Sequence, residues 1–275
     1  MQKVLLLSEV NTVAEYLEGE VIDYINEGRI ETFESFADFD IIAFDWCDPE
    51  DVAVEPKQMM AYIDRDDLFI FCEDEVAYGE ASRVFVPRGN NEDALYDFFD
   101  ELLDGDIERL EGLEDEINAA DDALLTGVKA GCPELIVSFR RRLLRWKKYY
   151  DQLRSIFDAL SLNVNSLLSS DAARRFETLG RRAERLYGNA VSLREYVTQV
   201  REAYQAQIDI EQNNLMKIFT VVTAIFLPLT LIVGWYGMNF NMPEFAWEYG
   251  YFAVIVLSVM VVIGCVALFK KHKWM

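Results

Sequence analysis

The clearest pattern in the chain is an apolar run from Ile218 to Tyr236, 19 residues without a charge. As a helix it spans roughly 30 Å, the thickness of a bilayer's hydrocarbon core. Within it Thr220, Thr223, Leu227, Thr230, Gly234 and Gly237 recur at spacings of three and four, which places them on one helix face. All but Leu227 are small or hydroxylated, and the other faces are dominated by Ile, Val, Leu and Phe. Such a stripe turns away from lipid, either to pack on a neighbouring helix or to wall an aqueous path. The spacing alone leaves both open. A second uncharged run of 19 residues, Tyr251–Phe269, predicts another span.

Upstream, Phe176, Leu179, Ala183, Leu186, Ala190, Leu193, Val197, Val200 and Tyr204 keep a strict three–four spacing, an a/d seam. A cap-like Ser169-Ser170-Asp171 precedes it, and no proline interrupts Asp171–Leu227. The prediction is one helix from Asp171 to Tyr236, about 100 Å long. At its membrane end the seam positions become polar (Gln207, Glu211, Asn214). A new stripe begins at Asn213 and Met216 and continues into Thr220. Coiled-coil packing of this helix predicts an oligomer about an axis.

The first 90 residues read as a small α/β or α+β domain. Strands are predicted at Lys3–Val10, Ile41–Trp46, Leu68–Cys72 and Arg83–Val86, with an edge strand at Arg29–Phe36. Helices are predicted at Asn11–Asn26 and Asp51–Asp64, and the alternation favours a partly parallel sheet. Asn90 or Asn91 caps an acidic helix that runs to about Leu125. Thr126–Pro133 breaks the chain, and Glu134–Leu162 forms the next helix. The divisions expected are 1–90, 91–170, a stalk over 171–216, a first span over 217–236, a loop over 237–250, a second span over 251–269 and a basic tail over 270–275.

Charge sharpens this picture. Residues 1–126 carry net −29, residues 127–216 net +5 and residues 217–275 net +2. So acidic a domain repels nucleic acid and suits cations. The basic stretch Arg140–Lys148 is expected to be a solvated helix face answering acidic neighbours. Four cysteines without paired spacing and the single His272 build no thiolate or imidazole metal site. The sequence holds no nucleotide-binding loop and no nucleophile–base pair, so no enzyme activity is expected. The loop between the spans lacks Lys and Arg, whereas Lys217, Lys270, Lys271 and Lys273 flank the other ends. Positive-inside then puts both termini in the cytoplasm of a multi-pass protein of the cell (inner) membrane. Glu244 and Glu248 lie in the outer loop, either gathering cations or serving solubility.

Tyr236-Gly237-Met238-Asn239-Phe240, followed by Met242-Pro243-Glu244, resembles the signature of the CorA-type magnesium transporter family. Glu211–Lys217 and Phe226–Thr230 resemble that family's stalk end and first span. The likeness is strong over about residues 165–275 and architectural before that. It implies a funnel-shaped homopentamer in the lipid bilayer, with five first spans lining a pore. Gly237, Met238 and Asn239 would select ions at the mouth. Asn213, Met216, Thr220, Thr223, Leu227, Thr230 and Gly234 would line the path, and Met216, Phe219 and Leu227 would gate it. Phe219 departs from the family, which often has an aliphatic residue there. Lys270, Lys271 and Lys273 would form a basic collar.

The resemblance implies uptake of Mg²⁺, with Co²⁺ or Ni²⁺ also possible, closed by intracellular Mg²⁺ bound to unassigned carboxylates within residues 1–170. Hydrated Mg²⁺ suits a path without a charged side chain. Two alternatives stay open: a Zn²⁺ transporter of the same architecture, and a membrane-anchored sensor or scaffold that conducts nothing.

Overall fold

In the computed structural model, described for residues 1–19, 21–22, 32–47, 55–125, 131–239 and 247–272, the chain divides into two units, Met1–Arg201 and Glu202–Met275. The first is built on one sheet of five strands: β1 (Gln2–Leu6), β2 (Phe33–Ser35), β3 (Phe39–Trp46), β4 (Lys57–Asp64) and β5 (Leu68–Cys72). The order is β1-β5-β4-β3-β2. β1 pairs with β5 in parallel, and the remaining pairs are antiparallel. The sheet is therefore mixed, with its only parallel pair among the described residues at one edge.

Burial on both faces explains the central strands. All of β5 is buried, and so is Met59–Ile63 of β4. On one face Val10, Val13, Ile41, Ala43, Met60, Tyr62, Phe69 and Phe71 share a core. On the other, Phe44 of β3 meets Phe99 at 5.6 Å and Tyr149 at 6.4 Å between ring centres. The β4–β5 turn is made by Asp64, whose Oδ1 accepts from the backbone N of Asp66 (2.8 Å) and Asp67 (2.6 Å). That is an Asx turn, which a short carboxylate favours.

Six α-helices lie among the described residues: α1 (Glu75–Val84), α2 (Asn91–Leu102), α3 (Asp106–Leu125), α4 (Cys132–Leu162), α5 (Ser170–Tyr236) and α6 (Gly250–Lys271). Asp74 caps α1 by accepting from the N of Val76 and Ala77, and Asn90 caps α2 by accepting from Asp93 N at 2.8 Å. Ser169 Oγ accepts from Ala172 N at 3.1 Å and opens α5. Of the basic stretch on α4, Arg142 pairs with Glu116 of α3 at 2.7 Å and Lys148 pairs with Asp45 of β3. Trp146, in the middle of that stretch, is buried rather than solvated.

Several expectations are corrected. Lys57–Asp64 is a strand and not the end of a helix: Met59 through Ile63 are buried between β3 and β5, and burial overrides the helix propensity of Met-Met-Ala. Arg83–Val86 is not a strand. Arg83 and Val84 end α1, whose buried face is Ala77, Ala81 and Val84. β1 stops at Leu6, and Leu7–Tyr16 is a 3₁₀ helix rather than strand followed by α-helix. The acidic helix is broken into α2 and α3 at Gly105, which adopts φ +75°, a conformation that suits glycine. Part of the expected edge strand, residues 29–31, lies outside the described residues, as do 51–54 of the expected helix.

The a/d seam also has a different role from the one its spacing suggests. Phe176, Leu179, Ala183, Leu186, Ala190, Leu193, Val197 and Val200 are buried within the single chain. Phe176 stacks on Phe157 of α4 at 6.3 Å and meets Tyr96 of α2 at 5.8 Å. Arg182 reaches Asp100 of α2 at 2.7 Å, and Arg154 of α4 reaches Glu184 at 2.8 Å. The seam holds the subunit together, so it carries no argument for an oligomer.

Asp40 of β3 is buried, and burial raises its carboxyl pKa above the usual range, opposed by bonds from Ser35 and Asn165. Asn165 Nδ2 donates to Asp40 Oδ1 at 2.8 Å and to Phe36 O at 2.8 Å, tying the α4–α5 turn to the sheet. A raised folded-state pKa makes the native state bind the proton more tightly than the unfolded chain. Stability then falls as pH rises from the ordinary value of 3.8 through the raised one. Asp40→Asn keeps an acceptor for Asn165 and removes the charge. It should stabilise the first unit at pH 7, with the gain shrinking as the solution is acidified. Hydrogen exchange of the β2–β3 amides against pH measures this.

Candidate ion pathway

The second unit consists of the end of α5 and the antiparallel-running α6, both long and apolar enough to cross a membrane. Their contact is legible in the burial pattern. On α5 the covered or partly covered positions are Val221, Ala224, Ile225, Pro228, Leu229, Ile232 and Tyr236. On α6 they are Ala253, Val254, Ser258, Val261, Val262, Cys265 and Phe269. Both sets recur at three and four, one face of each helix. Cys265 Sγ donates to Ala224 O at 3.7 Å across the contact.

The stripe lies elsewhere on α5. At about 100° per residue, Met216, Thr220, Thr223, Leu227, Thr230 and Gly234 centre roughly 150° away from the face that α6 covers. All of them are exposed, as is Asn213. Exposure alone does not single them out, because Val222, Phe226 and Val233 are exposed too. Chemistry and position together do: the hydroxyl-bearing face is the one turned from the second span.

The hydroxyls are already oriented. Thr220 Oγ donates to Met216 O and Thr230 Oγ donates to Phe226 O, each at 2.8 Å. Each hydroxyl hydrogen is thus held on its own helix, and the oxygen lone pairs remain as acceptors on the stripe. A row of acceptors without charge suits water molecules carried by a cation better than the bare cation. Among the described residues no group of three or more His, Cys, Asp or Glu could hold a metal ion.

At its C-terminal end α5 stops at Tyr236. Gly237 N donates to Val233 O at 2.8 Å, and Met238 N donates to Trp235 O at 3.3 Å. A Cβ on Gly237 would sit 2.8 Å from Val233 O, closer than side chains approach backbone oxygen, so glycine is required sterically. Met238 and Asn239 follow this turn and are exposed. Phe219 and Glu248 are exposed, as are Lys270 and Lys271 in the last turn of α6, where cations suit the helix dipole. Glu244 and Lys273 lie outside the described residues. The structure thus puts Asn213 through Gly234 on one face and Gly237–Asn239 at its end, without joining Glu248 to them by any described contact.

The first unit holds a separate polar cavity of about 240 Å³, lined in part by Trp46, Glu80, Asp106, Arg109 and Tyr149. Burial raises the Asp106 carboxyl pKa, against the bond from Arg109 at 2.7 Å. Its Oδ2 and the Tyr149 hydroxyl are bonded to no protein atom. The sequence reading missed this site, because its members are scattered from β3 to α4. It also missed the Ala224–Cys265 contact, for which Pro228 inside an apolar run was the available signal.

A mixed-sheet unit, a 67-residue helix whose end is long and apolar enough to cross a membrane, a Gly-Met-Asn turn after it and a second helix of that kind define the class of fold. The profile of the family described as "CorA-like Mg2+ transporter protein" matches residues 22–271, and the chain belongs to that family. The cobalt/magnesium transport protein CorA of Thermotoga maritima is 27% identical over 195 residues, 70% of this chain and 56% of that protein. The magnesium transport protein CorA of Yersinia pseudotuberculosis is 30% identical over 192 residues, 68% of this chain and 60% of that protein. These matches span less than two thirds of the relatives' length. In fold, the complete structure of the CorA magnesium transporter from Methanocaldococcus jannaschii superposes with a TM-score of 0.81 at 23% identity, covering 100% of this chain and 90% of that one.

Gly237→Ala should therefore disturb the turn that ends α5 without touching the first unit. The expected outcome is a loss of ion transport by the reconstituted protein with an unchanged far-ultraviolet circular dichroism spectrum; wild-type transport by this variant would contradict the steric argument.

Proposed function

We propose that this chain is the subunit of a homopentameric channel that admits hydrated Mg²⁺ to the cytoplasm, with Co²⁺ or Ni²⁺ as further ions. The observation that carries the proposal is the uncharged, acceptor-bearing stripe turned from α6 on a helix that ends in Gly237-Met238-Asn239. Membership of the family and the transport of magnesium by its named relatives support the choice of ion.

Mg²⁺ releases its water reluctantly, so a path that accepts hydrogen bonds from the inner hydration shell avoids the cost of stripping it. Asn239 offers an amide oxygen at the mouth, and Glu244 and Glu248 raise the local cation concentration. Thr220, Thr223 and Thr230 relay the hydrated ion through weak, successive contacts. Met216, Phe219 and Leu227 close the path by excluding water when the helices approach. A divalent ion gains about 4.6 kcal/mol per 100 mV of inward-negative potential, so uptake needs no nucleotide. Both termini face the cytoplasm, where Lys217, Lys270, Lys271 and Lys273 meet the inner headgroups.

Gating follows from charge. Five copies of an acidic domain repel one another, and intracellular Mg²⁺ bridging carboxylates of neighbouring subunits relieves the repulsion and favours closure.

Asn239→Ala removes an amide from every subunit and should raise the Mg²⁺ concentration for half-maximal influx into liposomes by at least roughly tenfold, the worth of a single charge-assisted hydrogen bond. Unchanged influx would remove Asn239 from the mouth. Zn²⁺ influx that exceeds Mg²⁺ influx and follows a pH gradient would establish the zinc alternative, and absence of any divalent flux would contradict both transport readings.

A further inference from the structure

We propose that Cys265 of α6 is a positioning residue for the pathway helix: its thiol supplies the hydrogen bond that Pro228 removes from Ala224. The proposal uses the reading of α5 as a pathway wall only to predict flux; the bond itself stands on geometry.

Pro228 lies inside α5, with helix on both sides. It has no N–H, and the carbonyl that this N–H would serve, four residues back, is that of Ala224. In hydrocarbon no water stands by to replace the bond, so the orphaned oxygen must find a donor in the protein. Cys265 Sγ lies 3.7 Å from Ala224 O, at hydrogen-bonding distance for sulfur. Both residues are partly covered and sit on the facing sides of the two helices. Ala224, with only a methyl group, leaves room for the thiol.

The neighbouring hydroxyls are directed elsewhere. Thr220, Thr230 and Ser258 donate to Met216, Phe226 and Val254 on their own helices. The Cys265 thiol instead crosses to the other span, at the point where the α5 ladder is open. An S–H donor is weak, but in a dry contact a weak donor is better than none.

The contact fixes rotation as well as depth. Ala224 and Pro228 belong to the covered face, Thr223 and Leu227 on the stripe immediately precede them, and Thr230 lies two residues beyond Pro228. A clasp at Ala224 holds those side chains toward the path. Without it, α5 is free to turn about Pro228, where its ladder lacks one bond. The mouth at Asn239 is untouched, so ion capture should be preserved while throughput falls.

The test is a double-mutant cycle in the full-length chain, reconstituted in liposomes: wild type, Cys265→Ala, Pro228→Ala and both together, with Cys265→Ser as the conservative variant. Thermal stability and Mg²⁺ influx are read for each. Cys265→Ala should lower the melting temperature and reduce maximal influx about threefold, the usual scale of an interhelical bond in membranes. The Mg²⁺ concentration for half-maximal influx should stay unchanged. Cys265→Ser, whose shorter side chain can bond back to its own helix as Ser258 does, should fall between wild type and Cys265→Ala. In the Pro228→Ala background the restored N–H serves Ala224, so removing the thiol should have no effect. An equal loss in both backgrounds overturns the proposal. If wild type carries no Mg²⁺, the transport reading fails, and the melting-temperature cycle still decides the clasp.

Discussion

A helix that runs from water into hydrocarbon keeps one backbone and meets two solvents, and α5 is shaped by that requirement. In the first unit water satisfies its polar side, and an apolar seam is buried against α2 and α4. In the second unit the backbone must be satisfied internally. The apolar surface then needs no partner to escape water, and it is the polar stripe that must be turned from lipid. The helix answers by changing faces between Tyr204 and Asn213: the seam ends, and a row of small and hydroxylated positions begins. The Thr220 and Thr230 hydroxyls bond back to their own helix, and the carbonyl that proline releases meets a thiol from the neighbour.

The same requirement explains why the membrane half was so readable. Charge exclusion, three–four spacing and the 19-residue length all report on one solvent, and no tertiary partner is needed to interpret them. The shared face of the stripe and the end of the long helix at Tyr236 were visible for this reason. Pro228 was visible too, but its partner was not, because Cys265 lies 41 residues away and nothing in its immediate sequence marks it.

The soluble unit was read less well, for physical reasons that differ from element to element. Lys57–Asp64 has the composition of a helix and is a strand because β3 and β5 enclose it. Val84 follows a β-like pattern locally, yet the Asp74 cap commits the segment to helix. The seam of α5 was seen correctly as a buried face, but spacing cannot say whether its partner is the same chain or another. Phe157 and Tyr96 answer that. Only the edge pair β1–β5 is parallel among the described strands, since the β3–β4 and β4–β5 connections return the chain antiparallel. The candidate path residues share a face by geometry, and their functional roles rest on the family and on the chemistry of a hydrated cation.

The central claim is that one face of α5 meets water inside the membrane and the opposite face does not. Water accessibility of single cysteines tests it most directly, in a background with Cys265 replaced by serine and the other native cysteines by alanine. Cysteines at Thr223 and Thr230 should react with a membrane-impermeant thiol reagent and be protected by Mg²⁺, while cysteines at Ile225 and Leu229 should stay unreacted. Equal reactivity on both faces, or silence on the threonine face in every condition, would contradict the account.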